Sequence, residues 1–220
     1  MNNKQNKQFN YQPIYLYPIA AMLNLTDNCN LACKYCFVEQ HPHNMTLEIA
    51  KQAVQYIYNN IQKRKELKYE KILKPDFKSA INFFGGEPML RYNEVIKPLV
   101  LWVEKTYPDL FSFGITSNVT LLTKEPVDFF KEHGIGILTS IDGAEYTQCY
   151  NRPCRNGDNS FKLVEQNISY ILEQFPMTTF RSTIYAPTVD HFYENYLYVE
   201  HSDFKNYAPV LDERTEWTPE

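Results

Sequence analysis

Short apolar runs alternate with helix-like segments along this chain of 220 residues, and this alternation restricts the possible folds more than any other feature. Strands that alternate with helices pair in parallel, and right-handed crossovers connect them. The pattern therefore predicts one α/β domain with a sheet of six parallel strands. The predicted strands cover residues 19–26, 79–84, 111–116, 136–141, 178–185 and 204–211.

Five helices are predicted between these strands. The first is the clearest, because apolar residues recur at helical spacing from position 47 to position 61. Thr46 is placed to cap its N-terminus, and Glu48 favours the helix dipole in the first turn. The other helices are predicted over residues 95–105, 126–134, 161–175 and 191–201. Pro98 is expected to open or kink the second helix, while Pro126 and Gly134 mark the start and end of the third.

Composition and charge exclude several classes of protein. The net charge of -4 and the isoelectric point near 5.8 argue against a nucleic-acid binder, which needs a basic face. No run approaches about 20 apolar residues, so no membrane span is expected. Five cysteines in a chain without an export signal indicate the reducing cytoplasm, and metal ligation in preference to disulfides.

The domain is expected to cover residues 16–212. Residues 1–15 are predicted to form a disordered tail, because the first ten are rich in Asn, Gln and Lys and lack an apolar signal core. Residues 213–220 are predicted to form a C-terminal tail. Too few residues follow position 211 for a sixth packed helix, which suggests a fragment of a longer protein.

Three cysteines lie close together in a loop directly after the first predicted strand. Cys29, Cys33 and Cys36 can hold three corners of a [4Fe-4S] cube and leave the fourth iron open, whereas ferredoxin-type runs supply four cysteines. A structural zinc site normally needs a fourth protein ligand. From spacing alone, a zinc site or merely buried thiols remain the alternatives.

Polar residues also follow the next three predicted strands, at 85–88, 116–118 and 140–143. Barrel enzymes gather their chemistry at the C-terminal rim of the strands, so this placement favours a barrel-like arc over an open sheet. Paired glycines at 85–86 let a ligand approach the backbone, although a plain turn is the alternative. At 142–143 the alternative is an ordinary turn, and at Asn118 it is helix capping.

Together, the motifs Cys-x3-Cys-x2-Cys, Gly-Gly-Glu-Pro and Ser-Ile-Asp-Gly resemble those of the radical S-adenosylmethionine (SAM) enzymes, and the resemblance spans residues 23–185. It implies a partial (β/α)6 TIM-like barrel, a [4Fe-4S] cluster on Cys29, Cys33 and Cys36, and SAM chelated to the open iron. It also implies an external one-electron reductant, such as a flavodoxin- or ferredoxin-like protein. Reduction of the sulfonium would release a 5′-deoxyadenosyl radical that removes a hydrogen atom from an unactivated C–H bond.

The resemblance further implies which residues contact SAM. Tyr35 is expected near the adenine, Glu87 near the methionyl ammonium, and Arg152 on the carboxylate of SAM, where a guanidinium binds bidentately. The full implied set is Tyr35, Gly85, Gly86, Glu87, Ser117, Asn118, Ser140, Asp142 and Arg152. No catalytic acid or base is identified. Cys149 and Cys154 are interpreted as spectator thiols, and the alternatives are ligands of an extra cluster or substrate-handling groups.

The segment Phe83-Phe84-Gly85-Gly86-Glu87-Pro88 and the arginine twelve residues after Ser140 resemble the branch that modifies peptides and proteins. That branch includes anaerobic sulfatase maturases and thioether-forming peptide maturases, so a peptide or protein substrate is implied. It usually carries a cysteine-rich extension of the SPASM type, which this sequence does not contain. The alternatives are a radical enzyme that acts on a small molecule, and a non-catalytic peptide-binding remnant.

Overall fold

The computed structural model describes residues 17–39, 41, 43–69 and 74–217 of the chain. They form an α/β fold in which one sheet of six parallel strands follows the chain in the order β1-β2-β3-β4-β5-β6. The strands are β1 (Ala21–Asn24), β2 (Ser79–Phe84), β3 (Phe111–Ser117), β4 (Gly136–Ser140), β5 (Thr179–Ile184) and β6 (Asn206–Leu211). Within the described residues β1 and β6 do not pair, so the sheet is an open arc, as predicted. The predicted tail at 1–15 lies outside the described residues.

Six α-helices connect or flank the strands. They are α1 (Leu47–Glu66), α2 (Lys97–Thr106), α3 (Lys124–Glu132), α4 (Glu145–Asn151), α5 (Ser160–Gln174) and α6 (Phe192–Glu200). Five correspond to predicted helices, whereas α4 was not predicted. It is short, and its sequence Glu-Tyr-Thr-Gln-Cys-Tyr-Asn has no apolar periodicity.

The helix ends follow local side-chain chemistry. Thr46 caps α1 as predicted, because its side-chain oxygen accepts a hydrogen bond from the Ile49 N–H at 3.3 Å. Pro98 lies in the first turn of α2, where a missing N–H costs nothing, so it opens the α-helix as one of the two predicted outcomes. The third helix begins at Lys124, two residues before Pro126. Gly134 follows it with φ +62, a left-handed conformation that ends helices.

The two faces of the sheet differ in polarity. The outer face packs against the helices through apolar side chains such as Ile81, Phe83 and Phe180, all 0% exposed. The inner face of the arc carries small or polar residues that are not fully buried, among them Asn82, Thr116 and Arg181. An inner face of this kind leaves room for ligands, whereas the interior of a closed barrel is filled by bulky branched side chains.

The last strand carries a proline. The Asp212 N–H donates to the Ile184 carbonyl of β5 at 3.0 Å, so even-numbered residues of β6 face β5. Pro209 therefore has its nitrogen on the open side of the strand, where no ladder hydrogen bond is lost. This is the position at which a strand tolerates proline.

Candidate active site

A cavity of about 230 Å³ opens at the C-terminal rim of the arc, and it is lined by the loop after β1 and by residues of β2 to β6 and the segments that follow them. Eleven of the twelve residues named from the sequence are in its lining. They are Cys29, Cys33, Tyr35, Cys36, Gly85, Gly86, Glu87, Ser117, Asn118, Ser140 and Arg152. We call the part formed by the cysteine loop (29–36), Arg152 and the ends of β2, β3 and β4 the β1–β4 wall. The part formed by Arg181, Thr183 and residues 210–214 is the β5–β6 wall.

The three loop cysteines are free thiols that face this common cavity. Burial raises the pKa of Cys29 to about 11 and also raises the pKa of Cys33, so these thiols ionise only when a cation compensates the charge. A bound metal deprotonates coordinating thiols outright. In the part of the chain that the structure describes, no three ligating side chains are grouped around a single ion. Three free cysteines on one cavity, with no fourth among the described lining residues, match the ligand set of an iron–sulfur cube with one open iron, so the residue types fit that group.

A backbone clamp holds the cysteine loop. Residues 151–155, directly after α4, run antiparallel to the loop and bridge Leu31 to Cys154. The clamp hydrogen bonds, donor first, are Ala32 N–H to Pro153 O (2.8 Å), Lys34 N–H to Asn151 O (2.9 Å), Arg155 N–H to Asn30 O (3.0 Å) and Arg155 Nε to Cys29 O (3.0 Å). The segment that carries Arg152 therefore also fixes the position of the cysteine loop.

Asp142 joins this clamp to the sheet. Its Oδ1 accepts hydrogen bonds from Arg152 Nη2 and the Thr183 N–H, both at 2.9 Å. Its Oδ2 accepts from the Tyr35 hydroxyl and from Asn151 Nδ2, the latter at 3.0 Å. The side chain is 0% exposed and does not line the cavity. Four donors engage its two oxygens in the free protein, so a direct contact of Asp142 with SAM stays a prediction.

Tyr35 and Arg152 both bind Asp142 and contact each other. The guanidinium carbon of Arg152 lies 5.4 Å from the centre of the Tyr35 ring, a cation–π distance. Burial raises the pKa of Tyr35 well above its usual range, so its hydroxyl stays a donor to Asp142. Burial opposes the charge on Arg152 but Asp142 favours it, and the net pKa is raised. Arg152 Nε is buried without a hydrogen-bond partner among the described residues, so it is a donor that a bound carboxylate would satisfy.

Glu87 is a buried carboxyl at the centre of the β1–β4 wall. Its Oε1 accepts hydrogen bonds from the Met89 N–H and Ser117 Oγ, both at 3.0 Å, and its Oε2 accepts from the Asn118 N–H at 2.8 Å. Burial nevertheless raises the pKa of Glu87 to about 7. A cation such as an ammonium placed beside it would ionise it fully. The hydroxyl of Ser117 is already engaged by Glu87.

The side chain of Asn118 ties β3 to the cysteine loop. Its Nδ2 donates to Asn30 Oδ1 at 2.9 Å and lies 3.7 Å from the sulfur of Cys29. Its Oδ1 accepts from the Thr120 N–H at 3.1 Å, two residues on. The N-cap position of α3 is occupied by Thr123, which makes no side-chain capping hydrogen bond. Asn118 therefore stabilises the turn after β3 and does not cap a helix.

Gly85 and Gly86 allow the turn after β2 to pack directly against the backbone of residues 26–28. A Cβ on Gly85, which has φ +141, would lie 2.3 Å from the Thr26 carbonyl oxygen, and a Cβ on Gly86 would lie 2.2 Å from that of Asn28. The Gly86 N–H donates to Thr26 O at 2.7 Å and the Glu87 N–H to Asn28 O at 2.9 Å. Both glycines also line the cavity, so the same turn joins the base of the cysteine loop and faces a ligand.

Several cavity residues were not predicted from the sequence, and most of them belong to the β5–β6 wall. They are Leu31, Phe37, Val38, Phe84, Thr116, Arg181, Thr183, Val210, Leu211, Asp212 and Arg214. Arg214 Nη1 donates to the Cys36 carbonyl at 3.3 Å, which links this wall to the cysteine loop. A signal for Arg181 exists, because it occupies an alternate position between the buried residues Phe180 and Ser182 and must face inward.

The remaining cysteines lie outside the cavity lining. Cys149 Sγ lies 3.2 Å from Asn159 Oδ1, and Cys154 is buried against the cysteine loop. Their interpretation as spectators stays a prediction. No helix among the described residues is long and apolar enough to cross a membrane.

Comparison with known proteins identifies relatives over most of the chain. The family model of the Radical SAM superfamily matches residues 23–197. The radical SAM cyclopropyl synthase TigE of Paramaledivibacter caminithermalis is 25% identical over 186 residues, which cover 79% of this chain and 37% of TigE. The serine-type anaerobic sulfatase-maturating enzyme of Klebsiella aerogenes is 28% identical over 147 residues, which cover 65% of this chain and 34% of that enzyme.

A similar fold occurs in a solved structure, native anSMEcpe with bound AdoMet and Cp18Cys peptide. It superposes with a TM-score of 0.74 at 22% identity, and the match covers 91% of this chain and 54% of that one. The likeness confirms the partial-barrel fold. The chain spans only about a third to a half of the length of these relatives.

Proposed function

Because the chain belongs to the radical SAM superfamily, whose members use a [4Fe-4S] cluster and SAM, we propose that it is the core of an enzyme that abstracts a hydrogen atom from a peptide or protein. The observation that carries this proposal is the single cavity that contains the three cluster cysteines, the Gly-Gly-Glu-Pro turn, Ser140 and Arg152. When bound, the cluster and SAM together supply the radical that attacks the substrate.

The residues of the β1–β4 wall have distinct proposed roles. Cys29, Cys33 and Cys36 hold the cluster, and the clamp at 151–155 keeps their loop in place. Glu87, with a pKa of about 7, gives up its proton to the solvent and becomes the counter-charge of the methionyl ammonium. Arg152, whose Nε has no partner among the described residues, binds the carboxylate of SAM. Ser140 and Tyr35 contact the rest of SAM at the rim.

A peptide or protein substrate is supported by the relatives. One is a sulfatase-maturating enzyme, and a solved structure of the same fold holds a peptide beside AdoMet. The mouth of the cavity is bordered by exposed apolar side chains, Phe37 at 68% and Leu211 at 56%, which suit contact with an extended peptide. We further propose an external one-electron donor, flavodoxin- or ferredoxin-like, and a cytoplasmic setting that keeps the five free cysteines reduced.

The experiment that tests this function is anaerobic reconstitution with iron and sulfide. We expect about four irons per chain, and 5′-deoxyadenosine after addition of SAM and dithionite. Cys33→Ala should lose both the cluster and the 5′-deoxyadenosine, whereas Cys149→Ala, outside the cavity lining, should retain both. A reconstituted wild-type protein that yields no 5′-deoxyadenosine would contradict the proposal.

A further inference from the structure

The β5–β6 wall contains a guanidinium without a counter-ion. Arg181 lies on the inner face of β5, beside Ser140 of β4, and its half-buried side chain lines the cavity. No acidic side chain within residues 17–39, 41, 43–69 and 74–217 forms an ion pair or hydrogen bond with it. The other two arginines of the cavity are paired, Arg152 with Asp142 at 2.9 Å and Arg214 with Asp212 at 3.7 Å.

The Arg181 guanidinium is partly buried, and its nitrogens meet solvent in place of a partner among the described residues. Burial removes part of the hydration of a guanidinium, and only a counter-ion or good hydrogen bonds compensate for that loss. Nothing in the packing of the strand needs this charge, because the core side of β5 is built by Phe180 and Ser182. A threonine, which occupies the next inner position at 183, would fit a strand equally well. The cation is therefore explained best by an anionic ligand.

We propose that Arg181 binds a carboxylate of the substrate and makes the enzyme selective for a peptide with an acidic side chain near the reacting residue. This inference rests on the proposed function. Guanidinium suits a carboxylate because its planar fork donates two parallel hydrogen bonds. Thr183, one inner position further along the same strand, adds a hydroxyl to the same stretch of the wall.

The location of Arg181 favours the substrate over SAM as the source of the carboxylate. A donor for the carboxylate of SAM already exists in Arg152, which lies on the β1–β4 wall with the cysteines and the glycine turn. Arg181 lies on the adjoining β5–β6 wall, next to Ser140, and that wall continues along β6 to the exposed apolar residues Val210 and Leu211 at the mouth. A peptide that enters over these residues reaches Arg181 along the same wall.

The test measures binding of two capped peptides to the reconstituted protein with SAM present. The probes are acetyl-Ala-Leu-Asp-Leu-Ala-amide and the same peptide with Asn in place of Asp. Isothermal titration calorimetry under anaerobic conditions measures the Kd of each. We expect the wild-type protein to bind the acidic peptide roughly tenfold more tightly than the neutral twin, as charged hydrogen bonds typically allow. Arg181→Gln should bind both equally, and Arg181→Lys should keep part of the preference.

Controls separate the possible sources of the effect. Lys162→Gln removes one exposed positive charge far from the cavity lining and should keep the full preference. The Kd for SAM should stay within about twofold of wild type in Arg181→Gln. A tenfold weaker Kd for SAM with unchanged peptide preference would assign the guanidinium to SAM and overturn the proposal.

Equal binding of both peptides by the wild type would overturn it too, as would a preference that survives Arg181→Gln. These measurements need no turnover. Failure of the proposed function, seen as missing 5′-deoxyadenosine, is therefore distinguishable from failure of this inference. Circular dichroism of Arg181→Lys and Arg181→Gln checks that both variants fold.

Discussion

The carboxylates of the β1–β4 wall and of the clamp behind it are held in hydrogen-bond networks, whereas the β5–β6 wall leaves the Arg181 guanidinium unpaired among the described residues and several apolar side chains exposed. Asp142 accepts four hydrogen bonds and Glu87 accepts three on the first wall. On the second, Val210 and Leu211 are 41% and 56% exposed. The β1–β4 wall is thus largely organised before any ligand binds, with Arg152 Nε as a spare donor. On the β5–β6 wall Arg214 is paired with Asp212, but Arg181 has no partner among the described residues.

This difference matches the demands of the proposed chemistry. A cluster and SAM have fixed shapes, and a rigid wall positions them without a cost in ordering when they bind. Peptide substrates vary, and a wall with spare donors and apolar contacts can select among them. Variants can test this comparison. It would be wrong if substitutions in the β1–β4 wall hardly changed the free energy of unfolding, or if substitutions in the β5–β6 wall changed it as much as core substitutions do.

The largest effect is expected from Asp142→Ala. This change leaves the Arg152 guanidinium buried without its counter-ion, and it removes the acceptor of the Tyr35 hydroxyl and the Asn151 amide. We expect the free energy of unfolding to fall by about 3–5 kcal/mol, the usual effect of breaking a buried ion pair. Urea denaturation measures it. Asp190→Ala, at an exposed position, should change stability by no more than about 0.5 kcal/mol. Equal effects of the two changes would show that the β1–β4 wall is not preorganised.

An intermediate effect on stability is expected from a change of pH, because Glu87 titrates between pH 4.5 and about pH 7. Its pKa is about 7 in the folded protein against 4.5 as the ordinary value, so the folded state binds more protons between these pH values. Stability therefore falls as pH rises through this window, by an amount on the order of 3 kcal/mol for the cluster-free protein.

Glu87→Gln provides the control for this pH dependence because it cannot titrate. We expect the difference in unfolding free energy between wild type and Glu87→Gln to decrease from pH 5 to pH 8, as measured by urea denaturation at each pH. A difference that is constant with pH would mean that Glu87 is not the group responsible.

The smallest effect on stability is expected from Phe37→Ala at the mouth. Phe37 is 68% exposed, and its ring stacks on that of Phe84 with the ring centres 6.3 Å apart. We expect a loss within about 0.5 kcal/mol, typical of surface substitutions. Phe83→Ala, at a position that is 0% exposed, should cost about 3–5 kcal/mol in the same denaturation experiment. If the two substitutions cost the same, the mouth belongs to the core and the contrast between the walls is lost.

The first wall was largely predictable from the sequence because its residues belong to short contiguous motifs. The cysteine loop, the turn at 85–88 and the strand at 79–84 were each visible in a few consecutive residues, and the structure brings them to one cavity. The role of Asp142 was not visible, because its four donors come from positions 35, 151, 152 and 183. Only the folded chain shows that they converge on one carboxylate.

The residues of the β5–β6 wall could not be predicted from the sequence for a different reason. The pairing register of β4 with β5 places Arg181 beside Ser140 in the cavity lining. Asp212 and Arg214 join the lining because they follow the end of β6. Inner and outer positions of a strand alternate, so Arg181 could be assigned inward, but its lack of a counter-ion depends on every neighbour in space. Similarly, α4 lacks the periodicity by which helices are recognised in a sequence.

Pro209 has a consequence for how this protein behaves at high concentration. The outward-facing amides of the last strand are those of residues 207 and 211, with the proline nitrogen between them offering no hydrogen. A second molecule that tried to extend the sheet edge to edge would find an interrupted ladder. Exposed strand edges are where sheets template aggregation, and a proline there is one of the ways natural proteins prevent it. Among the described residues, the free edge of β6 is therefore a weaker template for such pairing than an uninterrupted strand would be.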